Sequence, residues 1–227
     1  MKHLFALLLT ISGLMAHSQQ ISIESGKSIT SFDFNDFQTR NSILSNIQYT
    51  SKNYMSIGYG KKVAKDILSI IGGIGVNSYG AIGSDVNQNF FEWNTTYLSV
   101  YTGIDVRVIT FSNMAFSIRA TASPEFIVQG TQRLNNQVYN LVGAEDFDKV
   151  NLFVRGGAIY EYNLTYSLSL FFQYRYGKST QLRNPSLDNT NGKLHFKSHD
   201  IGFGLIIKLD SKEAKEFRNR VQRDNRR

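Results

Sequence analysis

From Val150 to Lys178 the chain alternates residue by residue between an apolar set and a small, polar or charged set, broken only once. Leu152, Val154, Gly156, Ala158, Tyr160 and Tyr162 share one parity; Phe153, Arg155, Gly157, Ile159 and Glu161 share the other. The pattern pauses at Asn163–Tyr166. It resumes with Leu168, Leu170, Phe172, Tyr174 and Tyr176 against Ser167, Ser169, Phe171, Gln173 and Arg175. Successive side chains of a strand point to opposite faces, so this stretch predicts two strands of about a dozen residues joined by a tight turn. Strands of ordinary globular domains run about 5–6 residues. A strand twice that length, apolar on one face and carrying Gly, Ser and isolated charges on the other, suits a membrane-crossing β-barrel.

The same alternation recurs along the chain. Strands are expected within 21–34, 53–61, 66–78, 95–109, 114–129, 150–162, 167–178 and 194–209. The first stretch changes phase: Ile21 and Ile23 take the parity opposite to Phe32 and Phe34, which predicts a bulge or break near Lys27–Ile29. Connections alternate between long, over about 35–52, 79–94, 130–149 and 179–193, and short, at 62–65, 110–113 and 163–166. Outer-membrane barrels have short periplasmic turns and longer outer loops. The expected fold is therefore an all-β, eight-stranded antiparallel up-and-down transmembrane barrel with both termini in the periplasm.

The ends of the chain agree with export. Lys2 and His3 precede an apolar run from Leu4 to Ala16, and Ala16-His17-Ser18 fits a small-x-small cleavage site. Residues 1–18 read as a secretory signal peptide, too short to span a bilayer. Residues 19–209 read as the barrel domain. Residues 210–227 form a basic periplasmic tail with seven basic and four acidic side chains. That tail holds half of the charge surplus left once the leader is removed, and no basic patch laced with aromatics argues for nucleic acid. With no cysteine in the chain, stability must come from the fold itself.

A soluble lipocalin-like barrel also has eight amphipathic strands, but its apolar face points inward. The polar face decides between the two. Here it is mostly Gly, Ser, Asn and Tyr with few charges, as a crowded interior requires. The alternation directs Asp33, Asp105, Glu125, Glu161 and Asp200 inward, together with Arg107, Arg119, Arg155, Arg175 and Lys208. Buried charges must be paired, so five acids against five bases predict an interlocking ionic core and not a wide channel. Aromatics near the strand ends are expected to form two girdles. Tyr54, Tyr79, Phe90, Phe91, Trp93, Tyr97, Tyr174 and Tyr176 would form the outer one, and Phe111, Tyr160, Tyr162 and Tyr166 the periplasmic one. Pro124 is expected at a bulge near the outer rim.

Carried by this strand and loop pattern and by last-strand residues such as Gly202, Phe203, Gly204, Ile207 and Leu209, the chain resembles the small eight-stranded outer-membrane barrels, the OmpA-, OmpX- and OmpW-like proteins. It departs from them in closing the last strand on Leu209 with a tail beyond. The resemblance implies a monomeric, non-enzymatic integral outer-membrane protein without a cofactor. Its partners would be outer-membrane lipids, lipopolysaccharide and the barrel-assembly machinery, and its outer loops would serve structural, adhesion or ligand-contact roles. A narrow pore is an alternative. Some such barrels are lipid A deacylases or acyltransferases, and His199, Ser198 and Asp200 in LHFKSHD are the candidate catalytic set. Strand parity puts Ser198 and Asp200 on one face and His195 and His199 on the other. His195 and His199 also lie about 13 Å apart by strand rise, which makes a poor metal site.

Overall fold

The computed structural model describes residues 19–35, 48–64, 67–84, 89–143, 150–180, 182–183 and 193–209. The leader over 1–18 and the tail over 210–227 lie outside the described residues. Eight long strands carry the fold: β1 (Gln19–Asn35), β2 (Gln48–Ala64), β3 (Leu68–Ser84), β4 (Phe90–Thr110), β5 (Met114–Leu134), β7 (Asn151–Asn163), β8 (Leu168–Ser179) and β10 (Lys193–Lys208). Two short strands extend its wall. β6 (Gln137–Asn140) folds back on β5, and β9 (Leu182–Arg183) pairs with β10. Neighbours in sequence pair antiparallel, and β1 pairs with β10 from Gln20↔Lys208 to Asn35↔Lys193, which closes the sheet into an up-and-down barrel.

Apolar residues face out. Met55, Ile57, Ile70, Ile74, Val100, Ile104, Ile118, Val154, Phe172 and Phe203 are all well exposed. Small, polar and charged residues face in. This is the arrangement of a transmembrane barrel and the inverse of a soluble one.

The expected break in β1 does not occur. Its register with both β10 and β2 runs without a shift. Ile21 and Ile23 fix the parity here, which sends Glu24 and Ser28 inward, both buried. Asp33, expected inward, pairs with His195 of β10, and both side chains lie outside the described set. The Phe32 position pairs with the fully buried Phe196.

The strands are also longer than their apolar stretches. β3 and β4 continue together as far as Ser84 and Phe90, where a long loop over 79–94 was expected. β5 runs on to Leu134 and turns at Asn135, whose φ is 52°. Tyr54, Tyr79 and Tyr97, expected in the outer girdle, are instead 3%, 1% and 0% exposed and point into the lumen. The remaining expected girdle members with stated exposures, among them Phe90, Phe111, Tyr160, Tyr162, Tyr166, Tyr174 and Tyr176, do lie on the outside. The bulge expected around Pro124 sits a few residues on, between Gln129 and Ile127 of β5 against Thr96 and Tyr97 of β4. Pro124 itself is paired with Leu152 of β7.

Candidate functional site

The lumen is filled in tiers. Toward the end that bears the longer connections, Tyr79, Tyr97, Phe153 and Phe196 pack around Ala81 and Leu141. Tyr79 stacks on Phe153 at 5.4 Å between ring centres and lies 5.6 Å from Tyr97. The hydroxyl of Tyr79 points down and donates to Glu125 Oε2 at 2.6 Å.

Arg155 ties this tier to the next. Its Nη2 donates to Glu125 Oε1 at 2.9 Å and to the Tyr79 hydroxyl, its Nη1 to Ser123 at 2.8 Å, and its Nε to Asp200 Oδ2 at 3.0 Å. The guanidinium carbon also stands 3.9 Å from the Phe153 ring centre. Asn77 donates to Glu125 at 3.0 Å, and Ser28 donates to Asp200 at 2.6 Å. Beside it, Arg175 reaches Glu24 at 3.4 Å and Asp200 at 3.7 Å, while Tyr54 and Gln173 both donate to Glu24.

Below, Arg119 makes a two-pronged contact with Asp105, Nε and Nη2 each 2.7 Å from an oxygen, and reaches Gln173 at 3.3 Å. Near the short turns, Glu161 lies 3.2 Å from Arg107 and 2.9 Å from Lys208. Ile159, Phe171 and Ile206 fill the space between.

These side chains need backbone to lie against, and glycines supply it. A Cβ at Gly202 would collide with the Tyr54 hydroxyl and sit 3.0 Å from Glu24 Oε1. A Cβ at Gly204 would sit 2.7 Å from the Phe171 ring.

Of the expected interior residues, Asp105, Arg107, Arg119, Glu125, Arg155, Glu161, Arg175, Asp200 and Lys208 are thus joined in pairs and networks. The Asp33 side chain lies outside the described residues. Glu24, which was not expected, joins the network, so five carboxylates meet five cations among the described residues. The neutral members Tyr54, Tyr79 and Gln173 were missed. The signal for Glu24 was present, because Ile21 and Ile23 flank it on the apolar parity. No periodicity marks which inward tyrosine will reach a carboxylate.

The candidate catalytic set is not assembled. Ser198 and Asp200 are buried inside, at 0% and 2% exposure, and Asp200 is committed to Arg155 and Ser28. His199 is on the outer face, its Nδ1 2.8 Å from the Tyr174 hydroxyl and its ring beside Tyr176 and Tyr49. The barrel wall separates the imidazole from both partners. The His195 side chain lies outside the described set. Among the described residues no group of His, Cys, Asp and Glu is arranged to hold a metal ion.

An apolar exterior, an ion-paired interior and a closed antiparallel eight-strand sheet define the small outer-membrane type of β-barrel. The fold is shared with the outer membrane protein OprG from Pseudomonas aeruginosa, at 12% identity and a TM-score of 0.50, over 85% of this chain and 97% of that one. Neisserial surface protein A aligns at 12% identity and a TM-score of 0.44 over 83% of this chain and 97% of that one. The attachment invasion locus protein Ail of Yersinia pestis aligns at 12% and 0.39 over 84% and 100%. No family model and no curated protein matches the sequence.

Proposed function

We propose that the chain is a non-enzymatic integral protein of the outer membrane, whose barrel is a rigid, closed support for the connections at its outer end. The observation that carries this reading is the filled lumen. Two cavities inside it measure about 20 and 10 Å³, one beside Arg119 and Glu161 and the other beside Arg155 and Arg175. A single water needs about 10–15 Å³ measured in this way. The interior charges compensate one another, so they present no uncompensated field to select a passing ion.

In this reading the short turns and both ends of the barrel face the periplasm, the protein is a monomer, and lipopolysaccharide and other outer-membrane lipids surround it. The barrel-assembly machinery inserts it. The outer connections then carry structural, adhesion or ligand-contact roles.

The test is an unboiled gel of the full chain refolded in detergent, with planar-bilayer recording of the same sample. A band that shifts on boiling, with no conductance steps, is the expected result. Regular steps would replace the closed support with a narrow pore. A protein that stays dispersed without detergent would remove the membrane reading altogether. For the lipid-modifying alternative, lipid A from cells making the wild type and His199→Ala is compared by mass; a modification present only with the wild type would overturn the non-enzymatic reading.

A further inference from the structure

The outer wall changes character abruptly across three adjacent strands. Val76, Leu98 and Phe126 pair in a row across β3, β4 and β5, each more than 40% exposed. The next outward row is Ser78, Thr96 and Gln129; the one beyond it is Gly80, Asn94 and Thr131. An apolar rung is thus followed by two polar ones, in register. Ser78, Thr96, Gln129, Asn94 and Thr131, with Lys52 and the inward-parity residues Tyr79 and Thr95, line a groove of about 290 Å³.

Lys52 belongs to β2, two strands from Asn94, and pairs with the inward-facing Ser28, so its side chain starts on the lumen parity; a specific distortion brings its ammonium across to Asn94. β2 and β3 lose their register between Tyr49↔Ala81 and Tyr54↔Asn77, leaving one extra residue on β2. The Gly80 backbone is held from β1 instead: its N–H donates to Thr30 Oγ1 at 2.9 Å, and the same hydroxyl donates to the Gly80 carbonyl at 2.8 Å. The lysine stem then crosses Gly80. A Cβ there would lie 2.8 Å from Lys52 Cε and 2.6 Å from Thr50 Oγ1. The ammonium donates to Asn94 Oδ1, and Asn94 Nδ2 donates to Glu92 Oε1 at 2.9 Å. Ser78 and Thr96 hydroxyls share a hydrogen bond of 3.0 Å. The Thr50 hydroxyl is buried beside the lysine without a hydrogen-bond partner among the described residues.

We propose that this groove binds the phosphate-bearing headgroup of an anionic membrane lipid, with Lys52 as its counter-ion. The groove lining supplies one fixed cation, hydroxyls and two amides, the donors that charged oxygens recruit. No carboxylate lines it; Glu92, two residues along β4, accepts a hydrogen bond from Asn94. The apolar row of Val76, Leu98 and Phe126 directly below suits acyl chains, so an amphiphile satisfies both halves and free phosphate satisfies one. This rests on the membrane reading above.

The test is native mass spectrometry of the full chain in a neutral maltoside detergent, with three probes: diphosphorylated lipid A, the same lipid dephosphorylated, and inorganic phosphate. Lipid A is expected to be retained and the other two are not. Lys52→Ala should weaken retention roughly tenfold, the loss of one charge-assisted contact. Lys52→Arg should keep most of it, and Lys61→Ala, near the opposite rim, should change nothing. If Lys52→Ala gives no heat-modifiable band, Gln129→Ala and Thr131→Ala on the same groove take its place, with weaker retention expected. Retention unchanged by the groove variants, equal retention of dephosphorylated lipid, or binding of phosphate alone overturns the proposal while leaving a detergent-requiring barrel intact. A chain that needs no detergent overturns both.

Discussion

Arg155 on β7 lies 3.0 Å from Asp200 on β10, though β8 stands between their strands in the wall. The pair spans the lumen and not the ladder, so it ties together parts of the barrel that backbone hydrogen bonds do not join. Arg155 is also the only bridge from Asp200 to Glu125 among the described ion pairs.

Arg155→Met should therefore be the most damaging of the interior charge substitutions. It leaves Glu125 and part of Asp200 buried without a cation. Breaking a buried pair from one side costs about 3–5 kcal/mol. The temperature at which the folded band disappears on an unboiled gel should fall sharply. Adding Glu125→Gln to Arg155→Met should recover part of the loss, because the uncompensated charge is then gone; two penalties that simply add would count against the network.

Gly202→Ala should also destabilise, although it adds a single methyl group. The new Cβ meets the Tyr54 hydroxyl, and Tyr54 cannot retreat without releasing Glu24. Overpacking of this sort costs about 1–3 kcal/mol. Gly202→Ala in a Tyr54→Ala background should cost clearly less than in the wild type, measured by urea unfolding in detergent. An equal cost in both backgrounds would show that the contact is not what Gly202 preserves.

Much of this architecture is legible in the sequence. The parity of β4 and of the β7–β8 hairpin is unambiguous, because Val100, Ile104, Val154 and Phe172 alternate with Gly, Ser and Arg. Charges on the inner parity could be named one by one for the same reason. Two things were hidden. The strands continue beyond their apolar residues, since above the apolar belt the outer face becomes polar while the ladder goes on, as Ser78↔Thr96 and Gly80↔Asn94 show. The inner face also becomes aromatic at that height, so Tyr79 and Tyr97 imitate outward residues. The continuous register of β1 was hidden too, where the Phe32 position pairs with the buried Phe196, and Glu24 with it.

Phe153→Ala should lower stability without opening a pore. The ring is fully buried, stacks on Tyr79 and underlies the Arg155 guanidinium, so truncation should cost about 3–5 kcal/mol. The charged tiers beneath it, Arg155 with Glu125 and Asp200, then Arg119 with Asp105, still occlude the lumen. Bilayer recordings should stay flat. Conductance steps in this variant would mean that the aromatic tier alone closes the barrel.

Ile74→Arg separates the membrane barrel from its inside-out counterpart. Ile74 is 57% exposed on β3, between Ile70 and the last apolar row at Val76, and points away from the lumen. On a water-washed exterior an arginine there would be nearly neutral. Facing hydrocarbon near mid-depth it costs roughly 2–4 kcal/mol, with the penalty fading toward the interfaces. Ser78→Arg, two rungs of side chains higher on the same face, should therefore cost much less. Refolding yield into phospholipid vesicles, read from the heat-shifted band, should fall for Ile74→Arg and hold for Ser78→Arg. Equal yields would place both residues in one environment. The step from apolar rung to polar rung, on which the lipid groove depends, would then not mark the edge of the bilayer.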